Sequence, residues 1–263
     1  MEADLTVDMI LSVFLVFTRV AALIMTGPFF SAVAFPKQVK LFFAMATTIL
    51  LFFAIPAEGA FVSASDGTLF IFTAIILEVL VGVALGLVGQ LVFAGLEMAG
   101  MLISLNTGLS FANMIDTMTQ QQNAVLSNLF SMVAVLVFLS IDGDKIYISA
   151  LARSFELIPV NEAQIHLAGP YMLEIATYLF TIGVQIASPF IIVLFLLDVS
   201  LAIFARIMPQ ANMMFIALPI KFGVGIALLM LALPYLPTAF DMMFQHLFDF
   251  VAELMGVIGP DQF

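Results

Sequence analysis

Five ionisable residues stand within long apolar stretches of this 263-residue chain: Arg19, Glu78, Glu174, Asp198 and Lys221. A charge at the centre of a bilayer costs roughly 2.5–3.5 kcal/mol on insertion scales, so such groups usually face protein or water. Their chemistry is either a proton or ion path, or pairing across packed helices or between subunits. A relay needs several groups close together, and these are scattered along the chain, which favours pairing. Other chemistry lacks its residues. With no Cys there is no disulfide, no thiolate nucleophile and no cysteine-ligated zinc or iron–sulfur site. His166 and His246 lie far apart, and neither has a helical-spaced carboxylate partner of metal-site type. No P-loop pattern, Ser/His pair or paired-Asp constellation is present, so no catalytic residue, metal or cofactor is assigned. A formal net charge of −11 removes the electrostatic footprint of a nucleic-acid binder.

The elements that position these charges follow from composition. Hydrophobic residues make up 63% and charged residues 10%, with a mean hydropathy of +1.21. A soluble domain runs about 45–50% apolar and about 25% charged, so the chain is expected to be a membrane protein. Six apolar runs stand out: Met9–Phe30, Val39–Ile55, Leu69–Phe93, Leu126–Ile141, Tyr171–Leu197 and Met213–Leu233. The second and fourth are short for a hydrocarbon core about 30 Å thick. The third continues as a helical pattern through Leu96, Met101 and Leu105 and overshoots it. The acidic start Met1-Glu2-Ala3-Asp4 is unlike the positive n-region of a secretory signal, so the first run is expected to be kept as a span.

Between Asp142 and Pro170 a short helical piece is expected over Ile146–Leu157, either re-entrant or a loop helix, bounded by Asp142-Gly143-Asp144 and Pro159. A last helix over Ala239–Met255 is amphipathic, with Phe240, Met243, Phe244, Leu247, Phe250, Val251 and Leu254 on one side. Its polar side has no Lys or Arg, unlike a helix lying on anionic lipid, so a partner-facing or pocket-lining role competes with a lipid-facing one. Lys37, Lys40 and Arg206 fall on one side of the membrane, Lys145 and Arg153 on the other, which leaves orientation open. The chain reads as one integral membrane domain, residues 1–263, of all-α class: about six long apolar helices and the C-terminal amphipathic one.

Small residues recur at Gly82-Val83-Ala84-Leu85-Gly86, the spacing that lets helix backbones approach closely in lipid. The 17 methionines include Met98, Met101, Met114, Met118 and Met132 around one connection, where a soft side chain suits a surface that conforms to partners as well as it suits an ordinary core. That connection, residues 106–122, mixes Leu109, Phe111, Met114 and Ile115 with Asn106, Asn113 and Asp116. Irregular backbone at membrane depth is tolerated where it is buried in protein or lines a cavity, so a plug closing a pore by apolar contact competes with a plain exposed loop.

Six motifs in order carry a resemblance: RVAALIMTGPFF (Arg19–Phe30) followed by FPKQVKLFFAMA (Phe35–Ala46), GLSFANMID (Gly108–Asp116), FLSIDGDK (Phe138–Lys145), RSFELIP (Arg153–Pro159) and ARIMPQANMMF (Ala205–Phe215). Together they resemble the FliR family of flagellar type III export-gate proteins, called SctT in virulence systems, over nearly the whole chain. The resemblance implies helices set as hairpins, many above the usual membrane plane, in a hetero-oligomeric helical assembly with FliP-like and FliQ-like subunits. In that assembly this family supplies the minority subunit of an inner-membrane gate for unfolded flagellar export substrates. It implies a bacterial inner-membrane, multi-pass protein at the flagellar basal body, with further export-apparatus membrane proteins around it. It also implies that the segment matching Gly108–Asp116 plugs the closed channel, with Leu109, Phe111, Met114 and Ile115 occluding, Gly108 and Ser110 turning the backbone, and Asp116 closing the motif. Arg19, Gly82, Gly86 and Lys221 are expected in helix packing and assembly. So are Arg206, Pro209, Gln210 and Asn212, where Pro209 breaks the helix and its polar neighbours satisfy backbone or partner groups. The chain departs from the family pattern at Thr117, Asp144 and Ala202, where Pro, His and Gly are common. A secondary transporter is the alternative; it would show an inverted repeat and a midplane site, and no repeat is visible. An intramembrane enzyme ranks below it.

Overall fold

The computed structural model describes residues 2–27, 36–54, 67–108, 125–210 and 212–260. Among them the chain is helical without a strand: α1 (Glu2–Thr26), α2 (Lys37–Ala54), α3 (Thr68–Thr107), α4 (Val125–Ser140), α5 (Gly143–Leu157), α6 (Ala168–Ile207, entered by a 3₁₀ turn over Ile165–Leu167), α7 (Met213–Ala232) and α8 (Leu236–Ile258). Four stretches are long and apolar enough to cross a bilayer: Val7–Thr26, Thr68–Thr107, Ile165–Ile207 and Phe215–Ala232. Leu126–Ser140 and Gly143–Leu157 pass that test only as a pair bent by 69°. This is an all-α membrane protein.

Local chemistry explains where the elements exceed the apolar runs. The 40 residues of α3 give a contour of about 60 Å at 1.5 Å per residue, twice the hydrocarbon core. It stops where Gly108 takes φ 81°, the left-handed conformation that glycine adopts without strain, and donates to the Leu105 carbonyl at 3.3 Å. α6 also has 40 residues and runs through Pro189. Proline there leaves the Gln185 carbonyl without its helical donor, and the Ser188 hydroxyl donates to that oxygen at 2.8 Å. α8 begins at Leu236, three residues ahead of the apolar pattern, because Pro237 is tolerated in a first turn.

The chain forms two compact units, Met1–Val92 with Phe138–Ala176 and Phe244–Phe263, and Phe93–Val137 with Thr177–Met243. In the first, α1 packs on α2 and runs parallel to the first half of α3. Leu15 meets Ala74 and Val160 in a small buried cluster. The two helices touch through glycine. A Cβ at Gly82 would press on the Arg19 carbonyl and lie 2.7 Å from the Ala22 methyl, and one at Gly86 would overlap the Thr26 side chain. α5 returns antiparallel beside both: the buried Tyr147 hydroxyl donates to the Leu85 carbonyl, and the helix ends against Arg19. The end of α8 closes the unit with Phe244 on Phe138, ring centroids 5.3 Å apart, and the Ile258 carbonyl accepting from Gln164 N–H at 2.8 Å.

In the second unit Gly183 sits against the Gly95 carbonyl, and a Cβ there would come within 2.8 Å of that oxygen. A Cβ on Gly100 would lie 2.8 Å from the Ser127 Cα, at the start of α4. The Ser127 hydroxyl donates to the Glu97 carbonyl at 3.1 Å, and Phe130 packs on Phe240 with centroids 5.7 Å apart. Two rings on the apolar side of α8, Phe240 and Phe244, thus pack on rings of α4, and Leu247, Val251 and Leu254 on that side are buried as well.

Candidate functional site

The fullest polar constellation is built around Arg19, which is fully buried. It lies on the side of α1 that α3 and α5 share, and parallel packing of α1 and α3 brings Glu78 to it across 59 positions of sequence. Arg19 Nε donates to Glu78 Oε2 at 2.5 Å and Nη2 to Oε1 at 2.9 Å, the bidentate geometry that a planar guanidinium offers a carboxylate. Nη1 donates to the Ser154 carbonyl at 3.0 Å, and Nη2 also to the Ile158 carbonyl at 3.0 Å. The guanidinium carbon lies 4.2 Å from the Phe155 ring centroid, so the cation meets the carboxylate at its edge and the aromatic ring beside it. Asn161, held at φ 68°, turns its N–H toward Glu78 Oε1 at 3.4 Å. The site therefore ties α1, α3, the end of α5 and the following turn into one neutral, hydrogen-bonded knot. A guanidinium with every nitrogen engaged is an anchor, and it offers no open relay position.

Asp198 and Lys221 also meet. Lys221 Nζ lies 2.7 Å from Asp198 Oδ1 and 2.8 Å from Oδ2, joining α6 to α7. Four of the five scattered charges are thus paired, and Glu174 stands exposed near the start of α6. Gly82 and Gly86 lie at the α1–α3 contact described above. Arg206 occupies the last turn of α6 with its side chain exposed, and Pro209 and Gln210 are exposed in the turn after it. Asn212 is exposed at the start of α7 and makes no side-chain capping bond, its carbonyl accepting from Phe215 N–H at 3.1 Å instead.

Gly108 ends α3; Leu109, Ser110, Phe111, Met114, Ile115 and Asp116 fall outside the described residues. The root of that segment is well fixed. Asn106 Nδ2 donates to the Leu102 carbonyl at 2.8 Å, and the buried Thr107 hydroxyl to the Ser104 carbonyl at 3.1 Å. Thr107 packs on Gly225 of α7, whose missing side chain leaves room for its Cγ2. Of the methionines around it, Met101 and Met132 are exposed.

Sequence reasoning missed the partners that complete the Arg19 site: Ser154, Phe155, Ile158 and Asn161. Three act through backbone groups, which any residue type supplies, and only the glycine spacing at 82 and 86 hinted that α1 and α3 touch. His246 Nδ1 lies 3.9 Å from Asp249 Oδ2, and no group of three or more His, Asp or Glu capable of holding a metal occurs among the described residues.

The model of the family described as bacterial export proteins, family 1, matches residues 10–247. The chain is 31% identical over 242 residues to the flagellar biosynthetic protein FliR of Escherichia coli (strain K12), with 90% of each chain covered. It is 32% identical over 244 residues to that of Aquifex aeolicus (strain VF5), with 92% of each covered. It is 32% identical over 241 residues to that of Pectobacterium carotovorum, covering 91% of this chain and 90% of the relative. With a match across nine-tenths of its length and a helical membrane architecture, the chain belongs to the bacterial export protein family 1, the family of the flagellar biosynthetic proteins FliR.

Proposed function

We propose that the protein is a non-enzymatic structural subunit of the flagellar protein-export apparatus. With FliP-like and FliQ-like subunits it forms the inner-membrane channel through which unfolded export substrates leave the cytoplasm. The observation that carries this reading, beside the family, is apolar surface that the chain does not cover itself. In an 18-residue apolar stretch of α6 and in the 18-residue span of α7, only 11% and 6% of the residues are buried within the chain. Phe195, Ile203, Ile207, Phe215 and Met230 all stand out at 57% exposure or more. Apolar area of this extent is covered by lipid and by partner helices, and soluble monomers do not carry it.

In this reading loop 106–122 closes the channel, with Leu109, Phe111, Met114 and Ile115 excluding water by apolar contact. Partners or substrate open it by binding the open arrangement better than the closed one. Arg206, Pro209, Gln210 and Asn212 present polar groups to neighbouring subunits. The test has two parts. The tagged chain, purified in mild detergent from its native bacterium, is expected to bring FliP-like and FliQ-like proteins with it; recovery as a lone chain from cells that make them refutes the channel role. Deleting Leu109–Ile115 is expected to leave that complex intact while the inner membrane leaks small ions. An unchanged leak in an assembled complex refutes the closing role.

A further inference from the structure

We propose that Thr107 and Gly225 are positioning residues: their contact sets the register of α7 against the end of α3, and so the point from which the chain leaves α3. Both lie in the second unit. Among the described residues of α7, Gly225 alone is buried, on a face it shares with the half-buried Leu218, Lys221, Leu228 and Leu229. The opposite face, with Ile216, Ile220, Met230 and Leu231, is exposed. A helix placed in this way is held by few groups. Lys221, one turn before Gly225, pairs with Asp198 of α6, and Gly225 receives the end of α3.

Thr107 is fixed from its own side. It is 3% exposed and is the last residue of α3. A β-branched side chain in a helix has few χ1 choices, and threonine takes those that let its hydroxyl bond a carbonyl one turn earlier. Here that carbonyl is Ser104, at 3.1 Å, which leaves Cγ2 aimed at Gly225. A Cβ on Gly225 would collide with this methyl and lie 3.0 Å from the Thr107 Cβ. Slid by one turn, about 5.4 Å, α7 would bring Lys221 or Leu229 to the same place, and neither leaves the room that glycine does. The contact therefore admits one register. The next residue, Gly108, already turns out of the helix at φ 81°. On the export-channel reading, on which this last step alone rests, the register of α7 sets the root of the closing loop. A neighbour that shifts α7 then shifts the root with it.

The test uses the full chain in membranes of its native bacterium. Because the sequence has no Cys, Thr107→Cys/Gly225→Cys supplies its only two thiols. Their Cβ positions need part only slightly from 3.0 Å to reach the about 3.5–4.5 Å of a disulfide, so an added oxidant is expected to join them. Thr107→Cys/Ile220→Cys, with its second thiol on the exposed face of α7, is expected to stay reduced. No bond in the first pair, or equal bonding in both, overturns the contact and the proposal. The second measurement is the leak of small ions across the inner membrane, in complexes that retain FliP-like and FliQ-like proteins. Gly225→Ala is expected to raise it about fivefold or more, the lower end of ordinary coupling between sites. Thr107→Ser in that background removes the methyl, keeps the hydroxyl and is expected to return the leak to its starting level. Gly183→Ala crowds the Gly95 carbonyl elsewhere in the unit and is expected to leave the leak unchanged. Equal leak in Gly183→Ala and Gly225→Ala, or a leak that Thr107→Ser does not reverse, shows general loosening and overturns the positioning role. No leak on deleting Leu109–Ile115 refutes the closing role instead; then, or should Gly225→Ala fail to assemble, the disulfide alone decides whether 107 and 225 set the register.

Discussion

Glu78→Ala is the substitution most able to disturb this fold. Glu78 is 1% exposed and, among the described residues, supplies the only side-chain charge on the fully buried Arg19. Breaking one side of a buried pair leaves the other charge uncompensated and typically costs about 3–5 kcal/mol. Arg19→Ala strands the carboxylate in the same way, with the Asn161 N–H as its remaining donor, and the same range applies. Independent effects would sum to roughly 6–10 kcal/mol. The pair Arg19→Met/Glu78→Leu instead removes both charges and leaves apolar volume in their place. The Ser154 carbonyl keeps its helical donor, Ile158 N–H at 2.9 Å, so the groups that lose a partner are the Ile158 carbonyl and the half-buried Asn161 N–H, whose contact with Glu78 is long at 3.4 Å. The unpaired buried carbonyl costs about 1–3 kcal/mol. The double variant is therefore expected to be more stable than either single one. The assay is the loss of helical circular dichroism of the chain purified in mild detergent, titrated with a denaturing detergent and analysed as a double-mutant cycle. A double variant at the sum of the singles refutes the argument, as does a Glu78→Ala cost below about 1 kcal/mol.

Two further outcomes are expected. Gly86→Val should destabilise the first unit by about 1–3 kcal/mol, since its Cβ overlaps the Thr26 Oγ1 and comes within 2.9 Å of the Thr26 Cβ, which rotation of that side chain does not move, and the same titration measures it. Gly225→Ala should also destabilise, because the new methyl meets Thr107 Cγ2, and Thr107→Ser should restore stability by removing that methyl while keeping the hydroxyl bond to Ser104; failure of rescue shows that the contact does not set the helix spacing.

How much of this was legible in the sequence depends on the range of the interaction. The helices were, because apolar periodicity is local: the pattern through Leu96, Met101 and Leu105 continues to Thr107, and the expected piece Ile146–Leu157 is α5, which starts three residues earlier at Gly143. Boundaries moved where one side chain rescued a backbone group, as Ser188 does ahead of Pro189. The paired fate of Arg19 and Glu78 follows from charge cost, yet nothing in the sequence says that 19 meets 78 rather than 198. That choice is made by three helices whose contacts are glycines and carbonyls, and these carry no charge pattern to read.

The Asp142–Gly143 corner has an electrostatic consequence. At φ 56° Asp142 turns the chain by one residue, so α4 ends and α5 begins with almost no connection between them. Asp142 N–H reaches the Leu139 carbonyl at 3.2 Å, and Ile146 N–H reaches the Asp142 carbonyl at 3.1 Å. The partial negative charge at the end of one macrodipole, about half an elementary charge, thus lies next to the partial positive charge that begins the next. Two helix ends that would each demand solvation cancel one another in place, and Asp144 in the first turn of α5 adds the favoured sign. The backbone at this bend therefore needs no headgroup, ion or partner to receive its two helix ends.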